Sequence, residues 1–238
     1  MKALFFLFTL ALISTTFNCQ AQWNKVKGEG PIVTKKLNID DFQNLGLGIS
    51  ADVILTQGPK QEVTIKGQQN IIDNIKIKVK GNSWSINFHD DASDYKDLTI
   101  YITLPTLESI SIGGSGNISS TNNFNNSDDM DISIGGSGDV SLDLNAKDVD
   151  IRIGGSGKVA LKGEGEDLDI SIGGSGDVMA FDFTVNTCDV SSAGSGDIDL
   201  NVSDKLNVSL VGSGDVTYKG NPKVKSSIVG SGDVERKN

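Results

Sequence analysis

From residue 111 onward, apolar and polar residues alternate in short runs of period two. Leu168, Ile170 and Ile172 are separated by Asp169 and Ser171; Leu206, Val208 and Leu210 are separated by Asn207 and Ser209. A second alternation follows in each unit, as in Val140-Ser141-Leu142, Val159-Ala160-Leu161, Ile198-Asp199-Leu200 and Val216-Thr217-Tyr218. Period two marks a strand with one buried face. Helical periodicity is hard to find beyond the N-terminus.

Between the two alternations lies a glycine-rich octapeptide that occurs seven times: SIGGSGNI (111–118), SIGGSGDV (133–140), RIGGSGKV (152–159), SIGGSGDV (171–178), SSAGSGDI (191–198), SLVGSGDV (209–216) and SIVGSGDV (227–234). The central serines, Ser115, Ser137, Ser156, Ser175, Ser195, Ser213 and Ser231, are 22, 19, 19, 20, 18 and 18 residues apart. Periods near 20 indicate stacked repeats. Residues 47–58, "LGISADVILTQG", read as an eighth, degenerate copy around Ser50.

One unit of strand, turn, strand and loose polar connection is too short to bury its own apolar face. Stacked on a neighbour it can do so, its strands pairing in parallel about 4.8 Å apart. The pattern predicts an all-β, single-stranded β-helix of 18–22 residues per coil, right-handed on general grounds, about 30 Å long over seven coils. The turn glycines are expected to form its corners with positive φ. They are Gly114, Gly116, Gly136, Gly138, Gly155, Gly157, Gly174, Gly176, Gly194, Gly196, Gly212, Gly214, Gly230 and Gly232. A phosphate loop is excluded, because neither GxxxxGK[ST] nor a following helix is present. The calcium-binding nonapeptide GGxGxDxUx fails on its period.

Residues 22–110 lack the glycine beat but still read as strands. "QEVTIKG" (61–67), "NIKIKVKGNSWSINF" (74–88) and "DLTIYITLP" (97–105) alternate, with a two-residue hairpin turn at Gly81-Asn82 and one helical turn at 70–74. In the second stretch Ile75, Ile77 and Val79 are expected on one face and Lys76, Lys78 and Lys80 on the other. This region, 22–110, is read as a β-sheet that continues or caps the repeat solenoid of 111–238. Open solenoid ends invite pairing. The last copy leaves little sequence for a cap, so charge or a partner is expected to cover that end, an oligomer through it included. "NNFNNSDDM" (122–130) is read as a polar loop bulging from the rod.

Residues 1–21 read as a secretory signal: Lys2, an apolar run from Ala3 to Ile13, and cleavage after Ala21. Lipid attachment at Cys19 is the weaker alternative, because Thr16-Phe17-Asn18 is a poor match to a lipidation motif. No membrane-spanning segment is expected once the signal is removed. The periplasm, the outer-membrane surface or the medium is the expected location. The remaining cysteine, Cys188, aligns with Leu168 and Leu206 as a core position. The 238 residues carry a net charge of −10, which excludes nucleic acid as a partner on electrostatic grounds.

Candidate chemistry is sparse. The single histidine, His89, sits among Asp90, Asp91 and Asp94, which reads as a solvated acidic loop. Stacking aligns Asn117, Asp139, Lys158, Asp177, Asp197, Asp215 and Asp233 after the turn, and Asp131, Asp150, Asp169 and Asp189, then Asn207 and Lys225, before it. Such columns either accept turn N–H groups or attract divalent cations. The first role is favoured, and Asp131, Asp150, Asp169 and Asp189 are the weak candidates for metal ligands. Arg152, outward between Asp150 and the turn and near Asp131 and Asp169 of the flanking coils, is expected to be a salt-bridge residue and not a catalytic base. No cofactor is expected.

"FQNLGLGISADVILTQGPKQEVTIKG" (42–67), followed by the SIGGSGDV copies, resembles the family of putative auto-transporter adhesins with a head GIN domain, exported proteins common in Bacteroidetes. The resemblance covers roughly residues 38–235 and implies a β-helical, envelope-associated domain with no catalytic residues to carry over. Unlike in true auto-transporters, no C-terminal outer-membrane barrel is expected, and so no surface display by self-transport. The resulting expectation is an exported, non-enzymatic solenoid that binds a glycan or an envelope or host protein. The alternatives are an envelope scaffold without external ligand and, less favoured, a polysaccharide-acting β-helix enzyme.

Overall fold

The structure, a computed structural model, describes residues 25–125 and 129–237. The signal segment with Cys19 and residues 126–128 of the polar loop lie outside the described residues. The expected solenoid is present, with about seven turns of stacked parallel strands. A first wall is made by the strands that precede each glycine corner and a second by those that follow it. In the first wall Ser109–Ile112 pairs in parallel with Met130–Ile134, which pairs with the end of Val140–Ile153. The ladder continues through Lys158–Ile172, Asp177–Gly194 and Ile198–Gly212 to Lys223–Gly230.

Register explains why the alternation is so regular. Ile112, Ile134, Ile153, Ile172, Ser192 and Leu210 stand in one inward column; Ile118, Val140, Val159, Val178, Ile198 and Val216 form another beyond the corner. All of them are buried. Cys188 takes its expected place between Leu168 and Leu206 and is 1% exposed. Burial pushes its thiol pKa far up, so it packs as a small apolar residue.

The connections expected to be loose are themselves in the ladder. Strand Val140–Ile153 runs unbroken through 143–150 and pairs residue by residue with 162–169. Repeat lengths differ, and the difference is absorbed in these connections. Register shifts fall between Ala160 and Lys162, and between Met179 and Thr184, leaving the corners aligned. Phe124, in the polar loop, is buried and pairs with Leu144, anchoring that insertion in the second wall.

The N-terminal region both continues the stack and closes it. Asn44–Leu47 and Asp52–Gln57 form the degenerate coil, with Asp52 opposite Asn117 and Asn44 opposite Ser109. The coil made by Ser83–Ile86 and Thr99–Leu104 lies on its other side. Antiparallel strands then end both walls: Glu62–Gln68 and Ile32–Leu37 on one, Val79–Lys80 on the other. The hairpin turn falls at Gly81-Asn82, with Gly81 at φ 58°, and the helical turn is Gln69–Asp73. One expectation fails here. Ile77 is 47% exposed: the hairpin pairs at Ile75 with Phe88 and at Val79–Lys80 with Trp84 and Ser83, and its regular ladder is interrupted over residues 76–78 between them.

The corners correct a second expectation. Of the fourteen turn glycines only Gly212 and Gly230 have left-handed backbone, at φ 137° and 136°. What excludes a side chain elsewhere is the coil beneath. A Cβ on Gly155 would lie 1.9 Å from the Gly136 carbonyl oxygen, and one on Gly196 1.8 Å from that of Gly176. Each corner also hydrogen-bonds downward: the N–H groups of Ser156, Ser175 and Ser213 donate to the carbonyls of Gly136, Gly155 and Gly194. Glycine is used because whole backbones stack at contact distance, and handedness enters only at the last two corners.

Candidate binding surface

The outer face of the first wall is a grid of short polar side chains. One column reads Ser109, Asp131, Asp150, Asp169, Asp189, Asn207 and Lys225; the column beside it reads Ser111, Ser133, Arg152, Ser171, Ser191, Ser209 and Ser227. The alternation that buries Ile170 and Val190 turns Asp169, Ser171, Asp189 and Ser191 outward. Toward the C-terminal side the face dips into a shallow depression over Asp169, Asp189, Asn207 and Lys225.

The acidic column is only partly neutralised. The Arg152 guanidinium donates to Asp131 at 2.8 Å and to Asp150 at 3.1 Å, which raises its own pKa further. The expected salt bridge therefore forms, to Asp131 and Asp150. Asn207 Nδ2 donates to Asp189 at 2.6 Å. The Asp169 carboxylate makes no hydrogen bond or salt bridge among the described residues. Partial burial, and then the charges of Asp150, Asp189 and Asp167, raise its carboxyl pKa against the opposing pull of Arg152. The four candidate metal ligands are thus spread along a column, one per coil. Among the described residues no three His, Cys, Asp or Glu side chains converge on one point.

The column after the corner is built differently. Asp139 Oδ1 accepts the Lys158 N–H at 2.9 Å, Asp177 that of Asp197 at 3.2 Å, Asp197 that of Asp215 at 3.1 Å, and Asp215 that of Asp233 at 2.9 Å. In return the Asp215 carbonyl accepts the Ile198 N–H and the Asp233 carbonyl that of Val216. Each aspartate thereby fastens its corner to the next coil, and Lys158 adds an ion pair to Asp177 at 3.0 Å. These carboxylates serve the fold, as the sequence suggested, although they accept from the neighbouring coil instead of from their own turn. The turn serines Ser137, Ser156 and Ser175 are exposed.

His89 shows what pattern reading missed. Its N–H donates to the Asn74 carbonyl, and the buried Asn74 amide bonds both the Asp90 N–H and the Asp90 carbonyl. Buried Gln68 does the same service for Lys96 N–H and the Gly30 carbonyl. Two buried amides thus hold the acidic loop as a structural element. Neither has a sequence signal, because each sits beside an ordinary apolar run.

A model of the family described as "Putative auto-transporter adhesin, head GIN domain" matches residues 41–222. The chain belongs to this family. The match begins just before the degenerate coil and leaves out the last strands of both walls, Lys223–Gly230 and Val234–Arg236. Solved structures share this fold. A putative adhesin from Bacteroides fragilis superposes with a TM-score of 0.82 at 25% identity, covering 89% of this chain and 100% of that one. A putative adhesin from Parabacteroides distasonis gives 0.72 at 25% identity, over 90% and 100% of the two chains. A protein of that organism named a putative lipid binding protein gives 0.71 at 22% identity, again over 90% and 100%, a likeness of fold alone. No curated protein matches the chain. No helix among the described residues is long and apolar enough to cross a membrane.

Proposed function

We propose that this head GIN domain is an exported, non-enzymatic binding element of the cell envelope that holds an extended glycan, or a protein carrying one, against its first wall. The supporting observation is the aligned grid: a column of serines broken only by Arg152, beside a column that carries carboxylates in four successive coils, from Asp131 to Asp189. Rows about 4.8 Å apart offer hydrogen-bond partners at a regular interval to a ligand with many hydroxyls. Serine, aspartate and asparagine are short, so fixing them costs less rotamer entropy than fixing long polar chains. The absence of aromatic side chains from these two columns suits a weak, multivalent contact in which affinity comes from number.

Binding, and not bond cleavage, is the reading because Arg152, the one arginine on this wall, is engaged with Asp131 and Asp150. The test is a glycan and matrix-protein array probed with the exported chain, followed by an Asp169→Asn, Asp189→Asn double variant. Binding that falls at least about tenfold in the variant supports the reading. A silent array, or binding unaffected by the pair, defeats it. Release of reducing sugars from the same panel, lost in Arg152→Ala, would point to an enzyme instead. Protease protection on intact cells would favour an internal scaffold.

A further inference from the structure

The last described coil is unlike every coil before it. Its inward positions Val224 and Ile228 are 37% and 38% exposed, whereas Leu206 and Leu210, one coil earlier, are 0% and 3% exposed. Val229, beside them, is 65% exposed. Lys223–Gly230 and Val234–Arg236 each pair on one side only, with Ile198–Gly212 and Val216–Gly220. The other side presents a row of backbone N–H and C=O groups next to an open apolar cross-section. Edges of this kind are templates for pairing. The opposite end of the solenoid is closed by antiparallel strands.

We infer that this edge pairs with the same edge of a second copy, joining two solenoids end to end about a twofold axis. The sequence of the edge is self-complementary for that arrangement. Directly opposite residues in an antiparallel pair lie on the same face. With Ser226 on the axis, Val224 meets Ile228 of the second copy on the core side, and the two cores become continuous. Outside, Lys225 meets Ser227 and Lys223 meets Val229, so no lysine faces a lysine.

The second wall adds charge complementarity. Its edge runs from acidic Asp233 and Glu235 to basic Arg236 and Lys237. A reversed copy therefore sets the acidic half beside the basic half. A head-to-tail arrangement offers none of this: the N-terminal edges are antiparallel caps, on which Lys80 adds further positive charge and Lys35 and Lys36 are already paired with Asp73 and Glu62. Closed twofold pairing also stops at two and avoids open fibres.

The test is sedimentation equilibrium on the exported chain, with two variants. The intact chain should be a dimer with a small-angle scattering profile of roughly doubled length. Ile228→Lys should weaken dimerisation at least about tenfold. The site is already partly exposed, and an unchanged circular dichroism spectrum would show that the monomer stays folded. Ser226→Cys should form an intermolecular disulfide on mild oxidation, because axis-related Cα atoms about 4.5–5.5 Å apart suit one. Ser209→Cys, on the flank of the wall one coil back, should not. A monomer at all soluble concentrations overturns the proposal. So do larger open assemblies, a dimer indifferent to Ile228→Lys, or a dimer in which Ser226→Cys stays reduced.

Discussion

At the scale of single residues, the corner glycines divide into two kinds. Gly155 and Gly196 lie against a carbonyl oxygen of the previous coil, while nothing lies within 4 Å of a Cβ built on Gly173. Gly196→Ala should therefore lower stability by about 2–4 kcal/mol, since packed backbone must move apart. Gly173→Ala should change it by less than about 0.5 kcal/mol. Thermal melting of the two variants checks this, and equal losses would show that strain within the turn matters more than stacking. The glycines themselves were legible in the sequence. Their reason was not, because a requirement for positive φ and a requirement for close approach leave the same letter in the chain. The aspartates raise a parallel question. Asp197→Ala should cost about 1–2 kcal/mol by leaving the Asp215 N–H without its acceptor, and Asp197→Asn should recover most of that, as urea titration can show.

At the scale of one element, the strand Asp177–Gly194 carries a defect in its core pattern. Ser192 is 4% exposed, in a column otherwise made of Ile112, Ile134, Ile153, Ile172 and Leu210. Its hydroxyl is buried where a methyl group would pack. Ser192→Val should raise stability by roughly 1 kcal/mol, read as a higher melting temperature. The outward face of the neighbouring strand gives a pH prediction. The Asp169 carboxyl pKa is raised in the folded chain, so the fold binds more protons than the unfolded chain just above the ordinary carboxyl range. This group therefore opposes folding once it ionises, and stability falls as pH rises through its folded pKa. Asp169→Asn should melt higher than the parent at neutral pH, with the gain vanishing below about pH 4. Strand positions and facing were readable from period two alone, and so were the two charged columns. The run through 143–150 was not: its residues alternate less clearly, and parallel pairing with the next coil, a tertiary effect, makes it a strand. Ile77 fails for the opposite reason. Its stretch alternates well, yet the hairpin ladder is interrupted over residues 76–78, between the pairs Ile75–Phe88 and Val79–Trp84.

At the scale of the whole molecule, a solenoid is stabilised by nearest-neighbour interfaces, so a coil with one neighbour is weaker than a coil with two. In the Ile228→Lys variant, amide hydrogen exchange should be fastest in Lys223–Gly230 and Val234–Arg236 and slowest in the strands between Val140 and Gly212. In the intact chain, dimer formation should slow exchange in that last coil selectively. Phe181 adds a local tie, since the ammonium groups of Lys219 and Lys237 lie 4.5 and 4.2 Å from its ring centre. That cross-coil contact could not be read from spacing, because the three residues share no motif. The repeat period, in contrast, carried the architecture from the first count of its serines.

The insertion of Asn44–Leu47 between Ser83–Ile86 and Ser109–Ile112 has a bearing on biogenesis. A chain emerging N-terminus first, from a ribosome or a translocation pore, cannot lock its oldest turn until residue 112 has also appeared. Two later segments must close over that turn like the halves of a clasp. Vectorial winding from the leading end is therefore forbidden, and nearly half the polypeptide must be threaded through before the first coil can set.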